Sequence, residues 1–197
     1  MPILSKEQAQ ALLKKVLSYS KSDECEVNIF GSYGDNVRYA RNSVSTSGIV
    51  SQTQLVVQSA FGKKSGTATI NEFDDASLEK VVRRAEELAH LAPENPEYTS
   101  ILGPQTYGES KTFVQSTAAI TPRQRSELVE QSLKVAKDSK TIAAGFLEDN
   151  YGFSAMMNSK GLFAYNVSTN TNFSVTVRTE DGKGSGYATR GYNDVTK

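Results

Sequence analysis

Apolar and polar positions alternate along this chain with two different periods. Leu12, Leu13, Val16 and Leu17 form one stripe at helical spacing, and Ser5 with Gln8 three residues on reads as its capping box. Residues 24–30 alternate instead, with Cys25, Val27 and Ile29 turned to one side, and predict a first strand. GSYGDN at 31–36 has turn composition, Val37 to Asn42 reads as a weaker second strand, and 51–70 reads as a hairpin. Phe73 and Leu78 bracket an Asp74 cap as a hydrophobic staple. Leu78, Val81, Val82, Ala85, Leu88 and Ala89 then give an amphipathic helix that Pro93 closes. Residues 93–120 show little periodicity and read as a connector, partly ordered by Ile101, Leu102 and Phe113. Thr121-Pro122-x-Gln124 opens another helix. Strands are expected near 141–148, 151–158 and 162–179, with a return strand at 183–191. Helices combined with hairpin-linked strands predict an α+β fold in two layers, helices packed on a mostly antiparallel sheet.

The pattern occurs twice. Residues 52–74 and 172–194 share eight of 23 positions at constant spacing, Val57, Gly62, Lys63, Ser65, Gly66, Ala68, Thr69 and Asp74 recurring as Val177, Gly182, Lys183, Ser185, Gly186, Ala188, Thr189 and Asp194. Upstream, Ser5, Gln8, Leu12 and Leu17 match Thr121, Gln124, Leu128 and Leu133, and Asn42-Ser43 matches Asn158-Ser159. The repeated unit reads as helix, strand, strand, hairpin. Residues 1–92 are then copy one with a closing helix, 93–120 the connector and 121–197 copy two without that helix, all within one domain. Gly62, Gly66, Gly182 and Gly186 are expected at φ > 0 on the edges of the hairpin turns. Asn158 and Gly161 are expected to shape the turn Asn158-Ser159-Lys160-Gly161. Copy two reaches Asp194 where copy one starts its helix, so the chain reads as the front part of a longer protein. The alternating Phe173, Val175 and Val177 then need cover from the first helix or the connector, and partial exposure of that face is expected.

Composition narrows the function classes. Lys plus Arg and Asp plus Glu balance at 22 each, which argues against direct nucleic-acid binding by a concentrated basic face. Apolar runs are a few residues long, so no membrane span is expected, nor does MPILSKEQAQ read as a signal peptide. The single cysteine makes no internal disulfide, and a cytoplasmic location is expected. The sequons at Asn166 and Asn172 matter only to a secreted chain.

Candidate chemistry is sparse. His90, the only histidine, falls in the last turn of its helix, where it suits the helix dipole better than a metal. Cys25 lies on an apolar strand face and reads as an inert thiol, which also disfavours a Cys25–His90 dyad. The GKKSG and GKGSG turns lack the Gly-Lys-Ser/Thr order of a phosphate loop and join strand to strand. Met156 and Met157 point to opposite faces of a strand, and Glu86, Glu87, Glu148 and Asp149 show no ligand spacing. No catalytic, cofactor-binding or metal-ligating set is assigned.

Four features together carry a resemblance. They are Arg41-Asn42, the Gly62-Lys63-x-Ser65-Gly66-Thr67-Ala68-Thr69 hairpin, the helix Leu78-x-x-Val81-Val82-x-x-Ala85-x-x-Leu88-Ala89, and Asn158-Ser159-x-Gly161. The chain resembles the N-terminal region of the TldD/PmbA family, historically called modulators of DNA gyrase and classed as peptidases. The resemblance implies an N-terminal α/β domain ahead of a mostly β C-terminal domain, in cytosolic proteins that pair as dimers. One branch carries a His-Glu-x-x-x-His helix and a further metal ligand; the other lacks them and acts as partner subunit. This chain has no such helix. The resemblance therefore implies a non-catalytic domain shaping a substrate chamber or dimer interface, with no cofactor of its own. Zinc would sit in the missing C-terminal part or in a partner subunit, and both would be partners of this domain, with a peptide as substrate. The competing reading is a self-standing module that holds an extended peptide at a sheet edge by strand addition.

Overall fold

The long helices begin where side chains satisfy their first amides. In the computed structural model, which describes residues 3–197, Ser5 and Gln8 form a reciprocal capping box on α1 (Lys6–Ser18). Three strands follow, β1 (Glu24–Ala40), β2 (Ser43–Phe61) and β3 (Lys64–Ile70). Asp74 then caps α2 (Asp75–Leu91) by accepting from the Ser77 amide. After a single-turn α3 (Gln115–Ala118), Thr121 and Gln124 box the start of α4 (Pro122–Asp138), with Pro122 in the first turn. The chain continues through β4 (Thr141–Asn158), β5 (Phe163–Thr179) and β6 (Ser185–Tyr192). The six strands form one antiparallel sheet in the order β3-β2-β1-β4-β5-β6, and the fold is α+β.

The strands depart from expectation in their length. GSYGDN is not a turn; it lies inside β1, which runs on for 17 residues. Its glycines serve close approach instead. A Cβ on Gly31 would sit 2.2 Å from the Phe153 ring, and one on Gly34 would sit 2.9 Å from Asn150 Cβ. The reversal comes at Arg41-Asn42, both in the left-handed region at φ 51° and 60°. β4 is likewise one strand where two were expected. Each of α1 and α4 is therefore followed by three strands, not by two strands and a separate hairpin.

The two hairpins of matching sequence are built differently. Phe61↔Lys64 closes the first around Gly62-Lys63, with Gly62 at φ 55°. Arg178↔Ser185 closes the second around a wider loop that holds Gly182 at φ 71°. Asp181 organises that loop by accepting from the Thr179 hydroxyl and the Lys183 amide. Gly161 sits at φ 89° after Asn158, whose carboxamide oxygen accepts from the Lys160 and Leu162 amides. Gly66 and Gly186 are ordinary strand residues, so the expectation of φ > 0 is corrected for both.

Two compact units divide the described residues. One takes in the chain up to Gly31, Gln52–Glu109 and Phe153–Asn166. Here α1 buries Ala9, Leu13 and Val16, α2 buries Leu78, Val81, Val82, Ala85 and Ala89, and α2 lies along β3. The other takes in Ser32–Ser51, Ser110–Gly152 and Val167–Lys197. Its core joins Val129, Leu133 and Ala136 of α4 to Val37, Tyr39, Ala143 and Leu147, with Phe173, Val175 and Val177 half-buried against it. The face is partly exposed, as expected, and what cover it has comes from α4 and not from the first helix or the connector.

Candidate functional site

Charged side chains on apolar stripes are the chemically unusual feature of this chain. Arg125 takes the α4 stripe position one turn before Val129 and is buried. Its guanidinium forks onto both oxygens of Asp149 on β4, reaches Asp35 at 2.9 Å and donates to the Ile120 carbonyl at 3.2 Å. Arginine stays protonated in proteins, so this is a clamp and not an acid–base pair. Sequence reasoning passed over Arg125 and took Asp149 as scattered. The available signal was parity: Asp149 falls on the inward side of β4 with Leu147 and Phe153.

In the first unit, Glu24 at the start of β1 gathers the connector. It accepts from Tyr98 Oη at 2.7 Å, from the Ile101 amide at 3.1 Å and from Ser100, and pairs with Lys160 at 2.7 Å. Burial works against its charge. Lys160, the Ser100 and Tyr98 hydroxyls and the Ile101 amide outweigh that and hold the carboxyl at about 2. Burial, and then the Glu24 carboxylate, push the Tyr98 phenol up to about 12. Asn158 adds a bond from its carboxamide nitrogen to the Leu102 carbonyl at 2.8 Å. Glu86, buried on α2, accepts from the Lys21 amide and pairs with Arg83, whose guanidinium also reaches the Tyr19 carbonyl. Each group has a partner that ties chain segments together.

The residues weighed for chemistry fall elsewhere. His90 stacks on Phe61 with ring centroids 4.0 Å apart. Cys25 is buried, and burial pushes its thiol up, away from the thiolate that nucleophilic work requires. Among the described residues no three His, Cys, Asp or Glu side chains gather into a group that could hold a metal ion. The described residues do not fit a catalytic metal centre. Gly62, Gly161 and Gly182 shape turns, Gly66 underlies α2, and Gly186 lies in open β6. Among the described residues no helix is long and apolar enough to cross a membrane.

One surface stands out along the free edge of β2. Pairing of β2 with β3 begins only at Leu55↔Ile70, and residues 43–52 are all exposed. That stretch, SVSTSGIVSQ, carries no charge and no proline. It therefore lacks the charges and prolines that commonly block strand addition at an edge.

Comparison with known proteins places this geometry. The fold matches TldE from Thermococcus kodakarensis at 16% identity and a TM-score of 0.82, over 94% of this chain and 43% of that one. A proposed modulator of a DNA gyrase from Thermotoga maritima matches at 14% identity and 0.82, over 95% of this chain and 44% of that one. Another from Bacteroides thetaiotaomicron matches at 14% and 0.84, over 98% and 46%. The chain thus spans less than half the length of each. No curated protein matches it in sequence. The family description PmbA/TldA metallopeptidase domain 1 matches residues 25–89, and PmbA/TldA metallopeptidase central domain matches residues 116–195. With both domains matched across most of its length, the chain belongs to the PmbA/TldD family, of which it represents an N-terminal region.

Proposed function

We propose that this chain is the non-catalytic N-terminal part of a PmbA/TldD-type metallopeptidase or of its partner subunit, and that it shapes the substrate chamber or the subunit interface. The observation that carries the reading is the match to the first and central domains over residues 25–89 and 116–195, in a chain spanning under half of its solved relatives. The lone His90, stacked on Phe61, and the buried Cys25 leave the described residues without a ligand set, so no reaction step is routed through them. Zinc belongs, on this reading, to a C-terminal region or a second subunit, and the complex works in the cytoplasm on peptides. The two sequence copies, 1–92 and 121–197 joined by 93–120, are read as a duplication, supported by the eight shared positions and the recurring order of one helix and three strands. The test is metal analysis and peptidase assay of the chain alone and after assembly with the longer polypeptide or its partner. Activity and one bound metal are expected only in the assembly. One tightly held ion per isolated chain, or hydrolysis that survives repurification, overturns the proposal.

A second reading, a module that holds an extended peptide, is favoured by the uncharged, exposed β2 edge at 43–52. It predicts that the isolated chain binds unstructured peptides and that proline substitutions along 43–52 abolish binding. No binding by the isolated chain removes this reading.

A further inference from the structure

In the first unit a helix sits on a glycine of the neighbouring strand. Gly66 of β3 lies against the backbone of Ala85 and Ala89, and α2 starts at the Asp74 cap to run back along that strand. β6 carries the same residues. Val177↔Gly186 and Val175↔Ala188 are cross-strand pairs, so Gly186 and Ala188 share the apolar face of β5. Yet every residue of β6 is exposed, and a Cβ on Gly186 would meet only Val177 Cγ2, at 3.6 Å. Val135 on α4, beside this face, is 66% exposed. An open groove of about 560 Å³ runs between α4 and β6, lined among others by Leu128, Val135, Phe173, Arg190, Tyr192 and Val195.

The tail at the rim of this groove is held in a defined conformation. Thr117 of α3 donates to the Asn193 carbonyl at 3.0 Å and accepts from the Val195 amide at 2.8 Å. Asp194, the sequence match of Asp74, accepts the Thr196 amide on its carboxylate at 2.9 Å and the Lys197 amide on its carbonyl at 3.2 Å. A side-chain oxygen on the second amide and an i, i+3 backbone bond are the contacts of a capped first helical turn.

We propose that the α4–β6 groove seats an amphipathic helix that starts at the Asp194 turn and continues in the polypeptide beyond Lys197. Its small side chains, four residues apart, would lie over Gly186 as Ala85 and Ala89 lie over Gly66. The inference rests on the reading of this chain as part of a longer family member, and the solved proteins it matches run to more than twice its length. A helix as long as α2, 17 residues, covers β6 from Tyr192 back to Gly186. It would bury Val135 and the outer half of the Val175–Val177 face.

Thiol labelling tests this, because the native Cys25 is buried and an added cysteine is the accessible one. Val135→Cys is introduced into the 197-residue chain and into the same chain extended through its reading frame by at least the length of α2. The expected result is fast alkylation in the short form and labelling slowed by roughly tenfold or more in the extended form. Gly186→Val should restore fast labelling in the extended form while leaving the short form unchanged. Equal labelling of the two forms overturns the proposal, as does a reading frame that stops at Lys197. Protection of the short form that grows with concentration assigns the groove to a second copy, and protection that requires a separate subunit assigns it to a partner; both also overturn it. Loss of peptidase activity from the assembly, with the labelling contrast intact, would count against the proposed function and not against this seat.

Discussion

Gly66 lies directly under Ala89: a Cβ on the glycine would come within 2.2 Å of the Ala89 nitrogen, and within 2.4 Å of the Ala85 carbonyl oxygen. The neighbours are helix backbone and cannot swing aside. Gly66→Val is therefore expected to cost about 3 kcal/mol or more by forcing α2 off β3. Gly186→Val in the 197-residue chain should change stability by no more than about 0.5 kcal/mol, since its site is open. Chemical denaturation of the two variants side by side checks the contrast, and equal effects would refute it.

Arg125 is the keystone of a buried ion cluster, with side-chain exposures of 6% for Arg125, 7% for Asp149 and 12% for Asp35. Removing the cation leaves two carboxylates facing each other out of water. Arg125→Ala should cost about 3–5 kcal/mol, while the double change Arg125→Met with Asp149→Leu should cost less than the single one. Denaturation midpoints for the single and double variants read this directly.

Acid should loosen the connector first at Glu24. Its folded-state value of about 2 lies below the ordinary 4.5, so the stability it contributes is present above about 4.5 and is lost as pH falls toward 2. With allowance for solvent screening, the contribution is on the order of 1–2 kcal/mol. Thermal melts between pH 5 and about 2 should fall less steeply in Glu24→Gln than in the parent chain. Parallel pH profiles would show that Glu24 contributes nothing.

Asn42 has two duties at the β1–β2 reversal. It holds φ 60°, and its carboxamide pairs with β4, accepting from the Ala143 amide at 2.7 Å and donating to the Thr141 carbonyl at 2.8 Å. Asn42→Ala should cost about 2–3 kcal/mol, and Asn42→Gly, which keeps the backbone freedom but loses both bonds, about 1–2 kcal/mol. Faster hydrogen exchange at Ala143 in both variants would place the loss at this contact.

Much of the architecture was legible because its causes are local. Ser5, Asp74 and Thr121 each cap amides within three residues of themselves, and Leu12 to Leu17 or Leu78 to Ala89 face one side through helical period alone. The two hairpins and the α+β class followed from the same short-range patterns. Tertiary structure decided the rest, because one residue type can serve two purposes that only distant neighbours distinguish. Gly31 and Gly34 suggested a turn, yet Phe153 and Asn150 make them sites of close approach within a continuous strand. Gly66 and Gly186 share sequence context, and one is packed under a helix while the other stands open. Asp149 looked like one scattered acid among several until Arg125, 24 positions earlier, was placed against it. Caps and stripes depend on a few consecutive residues; burial and close approach depend on which segments meet, and long-range packing sets that.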